Sequence, residues 1–272
     1  MNGKLMRSAL FVPGNRPERF AKALASGADA VIVDLEDAVQ ESDKALAREN
    51  LGQVLQATPT ARVWVRINMA SHTQHAADLA FCAERSGVCG VMLPKAESAE
   101  QVARVAATGR PVWPIVESAL GVQALPAVAQ VFGIERLTYG GLDMSLDMGL
   151  VAGSAGADCM LDSVRFALLL HSRLAGLAPP LETVYPRIDD PDGLEHFAAS
   201  AHNKGFAGML CIHPRQVEVV HRALQPTPTL VDWARRVLAG SDQSGAFQLD
   251  GQMVDAPVIQ RARNILASVA NS

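Results

Sequence analysis

The chain has 272 residues, of which 49% are hydrophobic and 19% charged, with a formal net charge of −4 and a pI near 6.0. That is enough apolar sequence for one large buried core, which excludes a disordered chain. The slightly acidic balance excludes the broad cationic field of a general nucleic-acid or anionic-membrane binder, although local basic clusters can still hold phosphates.

The four cysteines, Cys82, Cys89, Cys159 and Cys211, form no C-x-x-C pair and show no structural-zinc spacing, so they read as small buried hydrophobes. The first seven residues lead straight into an apolar run and lack the pattern of a signal peptide. No window approaches the roughly 20 apolar residues of a membrane span. A soluble cytoplasmic protein is expected.

In chain order, apolar and β-branched runs predict strands over residues 8–12, 30–35, 62–67, 88–93, 112–116, 136–139, 181–185 and 208–212. Helical periodicity fills the intervals over 17–26, 42–56, 75–85, 98–107, 119–130, 159–175, 191–203 and 214–223. Pro17, Ser98, Pro191 and Pro214 stand where helices start, and Gly27, Gly109, Gly176 and Gly205 where they stop. Eight βα units of continuous, not alternating, apolar strands predict an α/β fold, a (β/α)8 TIM barrel over residues 1–225, with an open doubly wound sheet as the alternative.

After Gln225-Pro-Thr-Pro228 the pattern changes to a helix over 229–238, a Gly/Ser/Asp-rich loop over 240–251 and a last helix over 256–269. Residues 226–272 therefore read as a helical lid or arm reaching a neighbouring subunit, or as a packed helical hairpin with no part in the chemistry.

In a parallel barrel all loops that follow strands open on one face, so residues at strand ends converge. Here that face collects Asn15-Arg16, Asp34-Leu-Glu-Asp37, Arg66-Ile-Asn68, Lys95, Glu117, Asp143 and His213. Glu117 ends an apolar strand and precedes a helix-cap residue, Ser118, while Tyr139-Gly-Gly-Leu-Asp143 repeats the arrangement. Two strand-end carboxylates suggest a divalent cation between them, and oxygen ligands suit Mg2+ or Mn2+.

Asp34, Glu36 and Asp37 crowd one loop and need a counter-charge, either a cation or Arg66 and Lys95; Glu36 or Asp37 could instead cap the next helix. The forked guanidinium of Arg66 matches a substrate carboxylate, or an ion pair with Asp34 or Asp37. Arg16 and Arg19 flank Pro17 and form a candidate phosphate site with the helix N-terminus, or stand as exposed charges. His213 before Pro214 reads as a structural donor. G-x-G-x-x-G and P-loop patterns are absent, so neither a Rossmann cofactor nor ATP is indicated.

The segments Arg7-Ser-Ala-Leu-Phe-Val-Pro-Gly14, Ala28-Asp-Ala-Val-Ile-Val-Asp-Leu-Glu-Asp37, Val65-Arg-Ile-Asn68, Leu93-Pro-Lys95, Ile115-Val-Glu-Ser118, Gly141-Leu-Asp143 and Ile212-His-Pro214, in this order, resemble the citrate lyase beta-subunit-like family, which includes malyl-CoA and citramalyl-CoA lyases. The resemblance implies a TIM barrel, usually a homotrimer, that makes or breaks a carbon–carbon bond beside a coenzyme A thioester with Mg2+. It places the metal ligands on Glu117 and Asp143 and the substrate arginine on Arg66. It also places an aspartate supplied by the next subunit on Asp255.

The candidate catalytic residues are Arg66, Asp255, Asp37 and Glu36, and the candidate substrate contacts are Arg66, Glu117, Arg16 and Arg19. The expected reaction is cleavage or formation of a 3-hydroxyacyl-CoA such as malyl-, citramalyl- or citryl-CoA. The alternatives are thioester hydrolysis, an aldolase acting on 2-oxo acids, or a subunit of a citrate lyase complex working on an acyl-carrier protein. Met209, Leu181-Glu182 and the loop after Asn68, which lacks a proline, depart from the family pattern and could alter the substrate pocket.

Overall fold

A computed structural model describes residues 5–241 and 246–270. Eight parallel strands close on themselves in sequence order: β1 (Ser8–Pro13), β2 (Ala30–Asp34), β3 (Val63–Arg66), β4 (Val88–Leu93), β5 (Val112–Val116), β6 (Arg136–Tyr139), β7 (Ala178–Glu182) and β8 (Gly208–Cys211), with β1 pairing β8. The intervening helices are α1 (Phe20–Leu24), α2 (Lys44–Ala57), α3 (His75–Glu84), α4 (Ala99–Ala106), α5 (Ala119–Val128), α6 (Gly141–Asp147), α7 (Ala155–Leu174), α8 (Pro191–Asn203) and α9 (Pro214–Ala223). This is the (β/α)8 barrel. Its strands are mainly apolar because one face packs on the helices and the other fills the interior.

Strand alternation decides which residues go inside. Ala9, Ala30, Ile32, Trp64, Met92, Trp113, Ile115, Leu181 and Leu210 form one buried cluster in the barrel interior, and within β2 and β5 they recur every second residue. Trp64 and Trp113 stack there with ring centroids 3.8 Å apart. Room for the pair comes from Gly90, the β4 partner of Trp64, where a Cβ would lie 2.2 Å from the indole. Below the stack the guanidinium of Arg136 lies 5.5 Å from the Trp113 ring centre and donates to the Pro179 carbonyl at 2.7 Å.

Four elements of the barrel differ from expectation. Strand β7 starts at Ala178, three residues earlier than predicted, because Pro179 and Pro180 lack donors but still offer carbonyls, to Arg136 and to the Ala207 N–H. The first helix shrinks to a 3-10 turn (Pro17–Arg19) and the five residues of α1. Helix α7 begins four residues early, capped by Ser154, whose hydroxyl accepts from the Ala157 N–H. Helix α6 has no counterpart among the predicted elements: it starts in Gly140-Gly141, a poor helical sequence, and is held by bonds to other elements.

Residues Met6–His221 form one compact unit and the chain from Arg222 onward another. The second contains α10 (Pro228–Ser241), a hairpin of β9 (Phe247–Leu249) and β10 (Gln252–Val254), and α11 (Ala256–Ala270), around a core of Ala234, Val237, Val254 and Ala262. The hairpin lies partly in the predicted loop over 240–251, of which 242–245 are outside the described residues. Its turn is Asp250-Gly251, both at positive φ (49° and 79°), the backbone that a two-residue hairpin connection requires. Among the described residues no helix is long and apolar enough to cross a membrane.

Replacing Gly90 with Ala drives a methyl group into the Trp64 ring, and an overpacked core of this kind is expected to lose about 1–3 kcal/mol, or roughly 2–10 °C in Tm. Thermal melts of Gly90→Ala, Trp64→Leu and the double variant check this. The double variant should lose less than the sum, and additive losses would show that the two positions do not share the space described.

Candidate active site

The alternation that fills the interior continues past the apolar layers. Two residues after Ile32, Trp64 and Ile115 come Asp34, Arg66 and Glu117, so these charges extend the same inward rows at the C-terminal end of the barrel. Asp34 and Arg66 are partners in the β2–β3 register. Arg66 donates through Nε to Asp34 Oδ1 at 2.7 Å and through Nη2 to Oδ2 at 2.6 Å, a bidentate pair. Burial alone would raise the Asp34 pKa, but the charge and hydrogen bonds of Arg66, with the N–H groups of Glu36 and Ala38, hold it below the usual carboxylate range.

The third guanidinium nitrogen, Nη1, lies 3.1 Å from Glu36 and 3.5 Å from Asp37. The counter-charge anticipated for this acidic loop is therefore Arg66. Beneath the loop, buried Lys44 donates from Nζ to the carbonyls of Leu35 and Glu36 at 3.2 and 3.0 Å, a support with no obvious sequence signal. Neither Glu36 nor Asp37 caps a helix: the next turn begins at Glu41, with Gln40 in the cap position. Burial pushes the Glu36 carboxyl up to about 8, with the charges of Asp37 and Asp34 adding to the shift and Arg66 opposing it. One Glu36 oxygen, Oε2, is buried without a hydrogen-bond partner, whereas the Asp37 side chain is 59% exposed.

Glu117 is buried at the end of β5 and accepts from the Lys95 N–H at 2.7 Å. Lys95 reaches that position with φ of +48°, a left-handed backbone uncommon for a residue with a side chain. Gly140 stands against the carboxylate, and a Cβ there would lie 2.5 Å from Glu117 Oε2. Burial raises the Glu117 pKa to about 7, and the charge of Asp143 adds to the shift, while the Lys95 N–H and the charges of Arg66 and Lys95 oppose it.

Asp143 is half-buried in the first turn of α6. Two carboxylates close enough to repel one another, one of them in a cradle only glycine leaves open, are a donor set that fits a hard divalent cation. Among the described residues no third His, Cys, Asp or Glu joins them in a metal-holding group. A cation here would keep positions for water and substrate oxygens.

The basic residues divide. Arg16 is exposed and ion-pairs with Glu18 at 3.0 Å, and the short first helix offers little of the anticipated N-terminal field. Arg19 stands with Lys22 and Arg215: after burial, the charges of Arg215, Lys22 and Arg19 lower the pKa of His213. Nδ1 of His213 accepts from the Arg215 N–H at 3.2 Å, so the ring serves as an acceptor. Lys22 and Arg215 carried no motif and come together only through closure of β1 on β8.

Asn68 is fixed by its N–H and Nδ2 donating to Asp78 Oδ2 at 3.0 and 2.7 Å, and Asp78 pairs with Arg48. Of the departures from the family pattern, Leu181 belongs to the interior cluster, while Glu182 and Met209 point away from it. Glu182 bonds Arg165 of α7 and the Tyr139 hydroxyl, and Met209 precedes the inward Leu210. Asp255 belongs to the second unit, directly before α11, with Oδ1 3.5 Å from the Val258 N–H.

Residues 7–214 match the HpcH/HpaI aldolase/citrate lyase family. A citrate lyase subunit beta-like protein of Mycobacterium tuberculosis is 40% identical over 264 residues, covering 94% of this chain and 93% of its own. The mitochondrial citramalyl-CoA lyase of Rattus norvegicus is 28% identical over 289 residues, covering 96% of this chain and 85% of its own. The crystal structure of protein CitE from Mycobacterium tuberculosis in complex with magnesium, acetoacetate and coenzyme A superposes with a TM-score of 0.86 at 39% identity, covering 97% of this chain and 98% of that one. The order of the strands, the charged end of the barrel and these likenesses lead to one conclusion: the chain is an enzyme of the HpcH/HpaI aldolase/citrate lyase family.

Proposed function

We infer that the enzyme is a Mg2+-dependent carbon–carbon lyase that cleaves or forms a 3-hydroxyacyl-CoA bearing a carboxylate beside its hydroxyl. The observation that carries this reading is the Glu117–Asp143 pair, two mutually repelling carboxylates at the mouth of the barrel. Glu117 and Asp143 would hold the ion, and Mn2+ suits the same oxygen donors. Bound there, the ion would polarise the substrate hydroxyl and carboxylate as a Lewis acid. A solved relative that holds magnesium, acetoacetate and coenzyme A and a relative named citramalyl-CoA lyase support the assignment.

Arg66 orients the substrate carboxylate. Asp34 occupies two of its nitrogens and fixes the plane of the guanidinium, so the incoming group approaches Nη1 and displaces the exposed Asp37. Burial pushes Glu36 towards the neutral form, which lessens the negative charge facing that nitrogen. Arg19, with Lys22 and Arg215, holds phosphate of coenzyme A, and Arg16 is the weaker candidate because Glu18 already pairs with it.

In the cleavage direction the hydroxyl proton passes to water, the O–H electron pair forms the new carbonyl, the bond between the hydroxyl-bearing carbon and the carbon beside the thioester breaks, and its electron pair passes to the thioester as an enolate. One fragment is a 2-oxo acid, and the enolate becomes an acyl-CoA when it takes a proton. Asp255 of a second copy of the chain supplies that proton, with the segment over 226–272 acting as an arm in a homo-oligomer. The compact barrel and the separate helical unit are consistent with this division of labour.

Three outcomes test the reading. Mass analysis of reactions containing Mg2+, acetyl-CoA and glyoxylate, pyruvate or oxaloacetate in turn should find a 3-hydroxyacyl-CoA with at least one of them. Release of free thiol from acyl-CoA without a 2-oxo acid would instead establish a hydrolase. Glu117→Gln should lower turnover at least about a hundredfold at limiting Mg2+, since even partners of metal ligands cost 10–100-fold.

Glu117 binds a cation only when ionised and its pKa stands at about 7, so apparent Mg2+ affinity should fall about tenfold per pH unit below that value and level off above it. Saturating Mg2+ should recover the activity, and a pH-independent Mg2+ requirement would remove Glu117 from the ligand set. Asp255→Asn should lose turnover and exchange of acetyl-CoA methyl protons while keeping Mg2+ affinity; unchanged rates would rule out the proton-transfer role.

A further inference from the structure

Helix α6 is seven residues long, too short to be stable by itself, yet it carries Asp143. Its placement is decided by bonds at both ends. At the start, Thr183, which follows β7, accepts the Gly141 N–H on Oγ1 at 2.9 Å. Gly141 permits the approach, since a Cβ there would lie 3.0 Å from Thr183 Cγ2. Thr183 is fixed in turn: its N–H donates to Glu182 Oε1 at 3.0 Å, and the same carboxylate receives the Tyr139 hydroxyl and the Arg165 guanidinium. Both ends of the Tyr139-Gly140-Gly141 segment are thereby tied to the Glu182-Thr183 dipeptide.

At the other end of α6, Asp147 accepts the Ala119 N–H on Oδ2 at 2.7 Å. Asp147 occupies the last residue of its own helix, where the macrodipole disfavours a negative charge. It faces the first residue of α5, where the dipole and an unpaired N–H favour one. Ala119 is two residues from Glu117, and Asp143 lies between the two tethers.

We propose that Thr183 and Asp147 are positioning residues that clamp α6 between β7 and α5 and so set the separation of Glu117 and Asp143 for cation binding. The inference rests on the reading of Glu117 and Asp143 as cation ligands. Neither residue is assigned as a ligand: they act through the backbone of Gly141 and Ala119. Loss of either tether lets the short helix turn about its remaining attachment, which loosens the grip on the ion before it affects the barrel.

The test is Mn2+ binding to the full chain, followed by electron paramagnetic resonance of the free ion, with melting temperature recorded for each protein. Thr183→Val keeps the shape and removes the acceptor, and should weaken Mn2+ binding about tenfold, in the range found for residues that orient metal ligands. Thr183→Ser, which keeps the oxygen, should restore it.

Asp147 provides a second arm at an exposed position where folding is not at risk. Asp147→Asn preserves an acceptor for the Ala119 N–H and should bind Mn2+ like the unaltered chain, whereas Asp147→Ala should bind more weakly. Equal weakening by Asn and Ala would show an effect of charge and overturn the clamp. Wild-type affinity in folded Thr183→Val and in Asp147→Ala would also overturn it. Glu117→Gln separates this inference from the reading beneath it: if the unaltered chain binds Mn2+ no better than Glu117→Gln, the ligand assignment and the clamp both fail. If Glu117→Gln loses binding and the clamp variants do not, the clamp alone fails.

Discussion

The two-residue period of a β-strand ties the core of this enzyme to its candidate site. Ile32, Trp64 and Ile115 fill the barrel, and the next side chains on the same rows are Asp34, Arg66 and Glu117. No separate scaffold aims these charges, since each inherits its direction from the apolar residue two positions before it. A one-residue slip in any of the three strands would turn both the core residue and the charged residue towards the helices. The tryptophan stack, seated against Gly90, opposes such a slip because no neighbouring register of β3 and β4 offers the indole the same space.

Electrostatics then divides the inward acids by function. Asp34 keeps its charge because it is matched bidentately to Arg66 and two backbone donors. Glu36 Oε2 meets the same guanidinium at 3.1 Å without an aligned hydrogen bond, and burial pushes the carboxyl towards the neutral form. Glu117 faces another carboxylate and is left poised near neutrality. A cation would relieve the Glu117–Asp143 repulsion, whereas the loop of Asp34, Glu36 and Asp37 already has its cation in Arg66.

Much of this was legible in the residues because buried parallel strands have a strong signature. Unbroken apolar runs bounded by turns located all eight barrel strands, and only β7 was displaced, since a proline pair reads as the end of a strand even where its carbonyls remain useful. Glu117 stood out as an acid at a strand end followed by a cap residue, and Ser118 does cap α5, accepting from the Gly121 N–H. The partner of Arg66 stayed ambiguous because it depends on the β2–β3 register, which single-strand patterns do not contain. Lys22 and Arg215 were invisible as a cluster for the same kind of reason, since only closure of β1 on β8 makes them neighbours.

Helix α6 marks the limit of local reading most clearly. Its cap and first residue are glycines and its last is an acid at the wrong end of the dipole, so propensity and charge both argue against a helix there. Each unfavourable choice has a partner elsewhere: Gly140 leaves room for the Glu117 carboxylate, Gly141 for Thr183, and Asp147 meets the start of α5. The segment is poor as an isolated helix because its residues are selected for contacts with β5, β7 and α5. Conflict between local propensity and observed structure is expected where a functional group must be held by several elements at once, and here that conflict falls on the residues surrounding Asp143.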